Sequence, residues 1–342
     1  MMEKLLEVKG LKTHFKTGQG IVKAVDGVSF DVYKGETFGI VGESGCGKSQ
    51  TCRSVLKLIK KPGKITEGQI IYQGKDLIGL KQKQMQQIRG KEISAIFQEP
   101  MTSLNPIMKI RDQIFEVFKD SGMTKEQKEE RAIQLLSMVG IPAPKERMND
   151  YPHQFSGGMR QRVMIAIALG ANPKLLIADE PTTALDVTIQ NQIMVLINQL
   201  KKELGMSVIL VTHDMGVIAQ MCDRVAVMYA GNIVEMTDTV SLFAKPRHPY
   251  TYGLMKSLPD GQSRGGKLNT IEGSIPNMAD LPPGCAFAPR CPLACEKCRQ
   301  AMPELTEVEQ GHLARCCRLD KTAEFEGIIS MPDGKMRKED VQ

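Results

Sequence analysis

Gly42-Glu43-Ser44-Gly45-Cys46-Gly47-Lys48-Ser49 is the most informative run in this 342-residue chain. It fits the pattern G-x-x-x-x-G-K-[ST], with an apolar, strand-like run before it, Thr37-Phe38-Gly39-Ile40-Val41, and a helical run after it over residues 50–58. Glycines let the backbone curl so that its N–H groups face phosphate oxygens at a helix N-terminus. Lys48 adds a point charge for the β and γ phosphates, and the Ser49 hydroxyl can ligate Mg²⁺. The plain alternative is a glycine-rich turn with a solvated lysine, and the strand and helix on either side weigh against it.

Three further apolar runs share the texture of 37–41: Ile93-Ser94-Ala95-Ile96-Phe97, Leu175-Leu176-Ile177-Ala178 and Val208-Ile209-Leu210-Val211. Longer helical patterns separate them, which predicts an α/β fold with a largely parallel sheet. Each run ends in residues that can do chemistry: the glycine loop, Gln98, Asp179-Glu180, and Thr212-His213-Asp214. Ligands bind at the carboxyl ends of strands in such sheets, so four polar endings predict one shared site. Asp179 would orient a metal, while Glu180 could accept a proton from an attacking water. Standing alone, two acids after a strand would read as a helix cap. Gln98 and His213 could contact the metal, the water or the γ phosphate.

A second anion site is expected where Phe155-Ser156-Gly157-Gly158-Met159-Arg160-Gln161-Arg162 opens a helix with an apolar, buried body over 163–169. Ser156 suits the N-cap and the glycines expose backbone N–H groups. The bland reading is a tight helix start that needs glycine only for packing. A phosphate site lacking the rest of an active site invites a composite arrangement, in which one subunit offers this helix end to the γ phosphate bound by another.

Composition bounds the rest. At 42% hydrophobic and 25% charged residues the chain sits at globular averages, which excludes wholesale disorder or a fibrous repeat. No stretch reaches the roughly 18 consecutive apolar residues that cross a bilayer. The start, residues 1–9, mixes acids and bases, so neither a secretory signal nor a transit peptide is expected and the chain is placed in the cytosol. Net charge is only +6, aromatic residues are 5% and there is no Trp, so a nucleic-acid surface is not expected. Residues 109–170 read as an inserted helical lobe and 81–87 as a solvated helix face. Pro246 and Pro249 break the pattern at the expected domain boundary, and 331–342 read as a loose polar tail. Of nine cysteines, Cys46, Cys52 and Cys222 are scattered while Cys285, Cys291, Cys295, Cys298, Cys316 and Cys317 crowd together, which in a reducing compartment points to metal more than to disulfides.

The phosphate loop, Gln98, Ser156 to Met159, Leu175-Leu176-Ile177-Ala178-Asp179-Glu180-Pro181, Ala184-Leu185-Asp186 and His213, in this order, closely resemble the nucleotide-binding cassette of ABC transporters over residues 6–243. The resemblance implies an ABC-type P-loop ATPase cassette at 1–244, with a helical subdomain at about 109–170 and a small Cys-rich extension at 245–342. Gly42, Ser44, Gly45, Cys46, Gly47, Lys48, Ser49 and Gln50 would form the Walker A site for ATP, with Asp179 and Glu180 as the Walker B pair. Ser49 and Gln98 would hold Mg²⁺, and Glu180, His213 and Gln98 would serve catalysis. Ser156, Gly157, Gly158 and Met159 would be the signature acting in trans, Met159 replacing the usual Gln, and Asp186 the D-loop residue. Phe15 lies where such cassettes carry the aromatic that stacks on adenine.

Finer likeness narrows the family. Gln98 to Pro106, Phe155 to Val163, His248-Pro249-Tyr250-Thr251, Pro283-Gly284-Cys285 and Arg290-Cys291-Pro292 look like ATP-binding subunits of oligopeptide and dipeptide importers, whose relatives also move nickel or glutathione. Such subunits work as a pair, usually two different chains, at the cytoplasmic face of two membrane permeases fed by an extracytoplasmic peptide-binding protein. The segment after Gln98 would take a permease's coupling helix. Cys285, Cys291, Cys298 and Cys316 resemble the family's carboxyl-terminal pattern, with Cys295 and Cys317 as additions that could substitute. Four thiolates suit a [4Fe–4S] cluster or a tetrahedral Zn²⁺, and spacing does not choose between them. The resemblance favours the iron–sulfur cluster, with Arg290, Lys297, Arg299, Arg315 and Arg318 offsetting its charge. Against transport stand a soluble ABC ATPase acting on DNA or ribosomes, and a degenerate structural partner. The short span from Lys48 to Ser156 and the single cassette oppose the first, and intact Lys48, Glu180 and His213 oppose the second.

Overall fold

A strand covered on both faces reads as an unbroken apolar run, and β3 (Thr37–Val41) has all five residues buried. The structure, a computed structural model, describes residues 3–18, 20–98, 103–183, 185–257 and 270–325. The expected tail at 331–342, residues 99–102 after Gln98, and Ala184 lie outside these. The described chain forms two compact units, one from 1–78 with 212–342 and the other from 79–211.

In the first unit β1 (Lys4–Thr17), β2 (Gly20–Tyr33), β4 (Gly63–Tyr72) and β5 (Lys75–Asp76) form an antiparallel sheet in the order β2-β1-β4-β5. In β1, Leu6 and Val8 point inward, then Leu11 and Thr13 do, an odd step that would put Leu11 in solvent on a regular strand. A register shift between Val8 and Leu11 absorbs the extra residue, with Gly10 at φ 55. The same unit carries β9 (Arg224–Tyr229), β10 (Asn232–Asp238), β11 (Thr306–Glu309) and β12 (His312–Ala314). They follow the order β11-β12-β10-β9-β3, in which only β3 and β9 are parallel.

The Cys-rich extension therefore shares a sheet with the cassette strands. β12 pairs with β10 through Glu235↔Ala314 and Met236↔Leu313. Beneath this pairing Glu235, fully buried, accepts from His312 Nε2 at 2.7 Å and from the backbone N–H groups of Arg247 and His248 at 2.6 and 2.9 Å. A segment with few apolar side chains gains its order by this docking rather than from a core of its own.

In the second unit β6 (Ile93–Ile96), β7 (Leu175–Asp179) and β8 (Ser207–Thr212) run parallel, β7 between the other two. The four apolar runs are thus strands, and the α/β expectation holds. Between β6 and β7 the described elements are helical: Ile110–Val117, Lys125–Met138, Pro144–Arg147, a short 3-10 turn and Gly157–Leu169. The expected solvated helix is Gln82–Ile88, anchored by buried Met85. One boundary differs from expectation: the helix after the phosphate loop is Lys48–Val55, not 50–58. Gly47 at φ 108 turns the chain straight into the helix, and Lys57 at φ 51 ends it, because a left-handed residue cannot continue a right-handed ladder.

Candidate nucleotide site and cysteine cluster

The phosphate loop joins β3 to the helix Lys48–Val55. Its glycines are sterically required at two positions. A Cβ on Gly42 would stand 2.2 Å from the Met228 carbonyl oxygen, and one on Gly47 2.2 Å from that of Ala24. Lys48 is 4% exposed, and its Nζ donates to the Gly42 and Glu43 carbonyls at 2.7 and 3.0 Å, so the ammonium sits inside the curl of the loop. Cys46 is fully buried, which pushes its thiol up, and its carbonyl accepts from Gly231 N–H at 2.8 Å. Ser44 and Gly45 are exposed, and Ser49 and Gln50 half-buried at the helix start. Phe15 is half-buried on β1, opposite Gly63 of β4, where a Cβ would come within 2.4 Å of its ring. His213 is exposed just past β8, next to Asp214, which caps the helix Met215–Met221.

In the second unit Asp179 closes β7 at 1% exposure. Glu180 follows with φ 46, a left-handed conformation that a glutamate adopts only at a cost of about 1–3 kcal/mol. Glu180 Oε2 accepts from Gln98 Nε2 at 2.8 Å and from Thr183 Oγ1 at 3.1 Å, and its N–H donates to the Val211 carbonyl at 2.9 Å. The structure thus brings Gln98 and Glu180 together, and Thr183 is a contact the sequence reading did not single out.

Ser156 caps the helix Gly157–Leu169 by accepting from Met159 N–H at 3.3 Å. Gly158 also serves packing, since a Cβ there would meet Ile189 Cγ2 at 2.8 Å. Asp186 is an exposed N-cap of the helix Val187–Leu204, accepting from Ile189 N–H at 2.9 Å. A cleft of about 410 Å³ is lined by Arg89, Phe97, Ser103, Leu104 and Asp120, among others.

The six clustered cysteines fall into two overlapping sets. Cys285, Cys291, Cys298 and Cys316 all lie within electrostatic reach of one another. Burial pushes Cys285 up, Cys291 to about 11 and Cys316 to about 12. Each sulfur of this set receives a backbone N–H: from Phe287 and Ala288 to Cys285, from Leu293 to Cys291, from Cys295 to Cys298 at 3.4 Å, and from Arg318 to Cys316 at 3.3 Å. Donors aimed at buried sulfurs favour thiolates. The second set is Cys295, Cys298 and Cys317, with sulfurs 3.6, 3.9 and 3.1 Å apart. Hydrogen bonding from the Cys298 backbone, then its thiol, pulls Cys295 down to about 7, and burial pushes Cys317 to about 12. Of the arginines expected to offset charge here, Arg290 is turned onto Glu43 instead, and Arg315 donates to the Ile233 and Pro303 carbonyls.

Comparison with known proteins reports the same two regions. The ABC transporter family matches residues 25–183, and the family described as oligopeptide/dipeptide transporter, C-terminal region, matches 234–298. The chain is 50% identical over 325 residues to the dipeptide transport ATP-binding protein DppD of Bacillus subtilis (strain 168), covering 94% of this chain and 97% of that protein. It belongs to the ATP-binding subunits of the ABC oligopeptide and dipeptide transporters. Membership extends to the oligopeptide transport ATP-binding protein OppD of the same organism, 51% identical over 98% of this chain and 94% of the relative. Among solved structures, the dimeric ATP-binding cassette MJ0796 bound to ADP and Pi is 31% identical with a TM-score of 0.61, covering 68% of this chain and 98% of that one. The first match covers the loop at Gly42–Ser49, and the second covers Cys285, Cys291, Cys295 and Cys298 of the extension. No helix among the described residues is long and apolar enough to cross a membrane.

Proposed function

We propose that this chain is the ATP-hydrolysing subunit that powers import of di- or oligopeptides through a membrane ABC transporter. The observation that carries the reading is the half-identity, over nearly the full chain, to subunits that serve dipeptide and oligopeptide transport, together with a phosphate loop whose buried lysine faces into the curl. Lys48 and the loop N–H groups hold the phosphates. Ser49, Gln98 and Asp179 offer hard oxygen donors, the kind Mg²⁺ takes, and the bound ion offsets phosphate charge. Glu180 serves as the base for the attacking water, its carboxylate oriented by Gln98 and Thr183. His213 serves beside the γ phosphate, and Phe15 stacks on the adenine, as the family resemblance assigns.

By the same resemblance, Ser156, Gly157, Gly158 and Met159, with Asp186, would face the nucleotide of a second cassette, so that ATP closes a dimer. Consistent with this, Ser156 caps its helix while remaining exposed, and the relative MJ0796 forms a dimer. By the same resemblance the pair, usually two different chains in this family, sits peripherally at the cytoplasmic face beneath two permeases supplied by an extracytoplasmic peptide-binding protein. The cleft lined by Phe97, Ser103 and Leu104 suits a short permease helix, with Arg89 and Asp120 at its walls.

In the extension, Cys285, Cys291, Cys298 and Cys316 are the set proposed to hold a [4Fe–4S] cluster, which would staple this region. Their mutual proximity and the N–H donors on every sulfur fit a buried anionic group. A second reading rests on the other set: metal–sulfur bonds of about 2.3 Å in a tetrahedron put sulfurs about 3.8 Å apart, so Cys295, Cys298 and Cys317 suit a single ion such as Zn²⁺.

The test of the central reading is Glu180→Gln in the assembled transporter. Loss of hydrolysis by at least a hundredfold, with ATP binding kept and a stable nucleotide-bound cassette dimer, is expected. Normal turnover by this variant would remove Glu180 from the role of base.

A further inference from the structure

Glu43, the second residue of the phosphate loop, is held at every polar group. Its N–H donates to the hydroxyl of buried Tyr250 at 2.8 Å, and its carbonyl accepts from Lys48 Nζ at 3.0 Å. Its carboxylate takes a two-pronged ion pair from Arg290, with Nη1 to Oε2 at 2.7 Å and Nη2 to Oε1 at 3.0 Å. Paired N–H···O bonds of this kind fix geometry as well as charge.

Arg290 is itself fully committed. Its side chain is 5% exposed, and its remaining donors reach the Glu272 carbonyl at 2.8 Å, the Ile271 carbonyl at 3.2 Å and the Tyr229 hydroxyl at 3.3 Å. All five N–H donors of a guanidinium are thereby used. The guanidinium also lies 5.8 and 6.0 Å from the ring centres of Tyr229 and Phe287, which pack edge-on at 5.2 Å. A group this constrained costs little further ordering when it holds Glu43. It belongs to the short 3-10 turn Ala288–Arg290, directly before Cys291.

The charge has a plain consequence. A carboxylate on a loop that binds phosphate opposes its ligand, and Arg290 cancels that charge. We propose that Arg290 is a positioning residue for the nucleotide site. By neutralising and fixing Glu43 it sets the affinity of the phosphate loop for a nucleoside triphosphate, so the C-terminal extension is part of the ATP site and not an appended module. This rests on the reading of 42–49 as the ATP-binding loop.

The test measures MgATP binding to the full-length chain by calorimetry, and KM and kcat for ATP in the assembled transporter. Arg290→Ala is expected to weaken binding and raise KM about tenfold with kcat within about threefold, since the harm is repulsion of the bound triphosphate. Glu43→Gln, which deletes the opposing charge, is expected to bind ATP more tightly than wild type. In the Arg290→Ala background it should recover most of the lost affinity. Arg290→Lys, which keeps the charge without the fork, should fall between the wild type and Arg290→Ala. A merely structural Arg290 would lower kcat and thermal stability together and would not be rescued by Glu43→Gln. Unchanged KM in Arg290→Ala, or no rescue in the double variant, would overturn the proposal. Where Arg290→Ala does not fold, Arg290→Gln gives the same charge comparison. Lys48→Ala is the separate control: if it too binds ATP like wild type, the fault lies in the assignment of the loop, not in Arg290.

Discussion

Replacing Glu235 by Ala removes the node that ties the Cys-rich extension to the cassette. The carboxylate is fully buried and accepts three hydrogen bonds, from Arg247 N–H at 2.6 Å, His248 N–H at 2.9 Å and His312 Nε2 at 2.7 Å. Each hydrogen bond to a charged acceptor contributes about 1.5–3 kcal/mol, but the three share one carboxylate and their sum overstates the loss. Removing one member of a buried pair costs about 3–5 kcal/mol, because the partners stay buried and unsatisfied, and we take about 4 kcal/mol for Glu235→Ala. Domains are stable by only about 5–15 kcal/mol, so the loss is a large share of the total. At roughly 2–4 °C per kcal/mol it corresponds to a fall of about 8–16 °C in melting temperature. Urea titration and calorimetry of the full chain read this directly. Arg247 N–H and His312 share one carboxylate oxygen and His248 N–H uses the other, so Glu235→Gln keeps an acceptor for one side only and should lose less than Glu235→Ala. His312→Ala should lose less than Glu235→Ala and show little further loss in the double variant. A shift under about 1 kcal/mol for Glu235→Ala would refute the idea that this carboxylate organises the junction.

Two other outcomes follow from the same unit. Burial, with Arg315 nearby, lowers His248 to about 3, so the unfolded chain binds a proton that the folded chain refuses between pH 6.5 and 3. Stability from this group is full above pH 6.5 and falls as pH drops below it, by about 2 kcal/mol at pH 5. His248→Asn, which keeps an acceptor for the Tyr250 N–H held at 3.1 Å, should flatten that slope in melts run from pH 7 to 5. For the cysteines, metal analysis of anaerobically purified variants separates the two donor sets. Loss of iron and of absorbance near about 400 nm on Cys285→Ser, with retention on Cys295→Ser and Cys317→Ser, supports the four-thiolate cluster. One tightly bound zinc lost from Cys295→Ser or Cys317→Ser supports the single-ion site.

Much of the cassette was legible because its chemistry is local. The phosphate loop, the Asp179-Glu180 pair after an apolar run, and the capped glycine start at Ser156 are each a few adjacent residues whose spacing is set by one turn or strand end. β3, β7 and β8 were legible for a related reason: full burial leaves an apolar run that needs no partner to be recognised. The helix end at Val55 was not, since nothing in Lys57 announces a left-handed φ of 51. Nor could composition show that Arg290 serves a glutamate 247 positions away, or that Glu235 waits for a histidine 77 positions on. Among the cysteines, likeness to the family's carboxyl-terminal pattern named the four candidates but not the trio in which Cys298 meets Cys295 and Cys317. Local motifs arise from backbone geometry within one or two elements, which the order of residues dictates. Buried charge pairs and converging thiols exist only once strands from distant parts of the chain share a sheet, because exclusion of water at that point is what makes each partner necessary to the other.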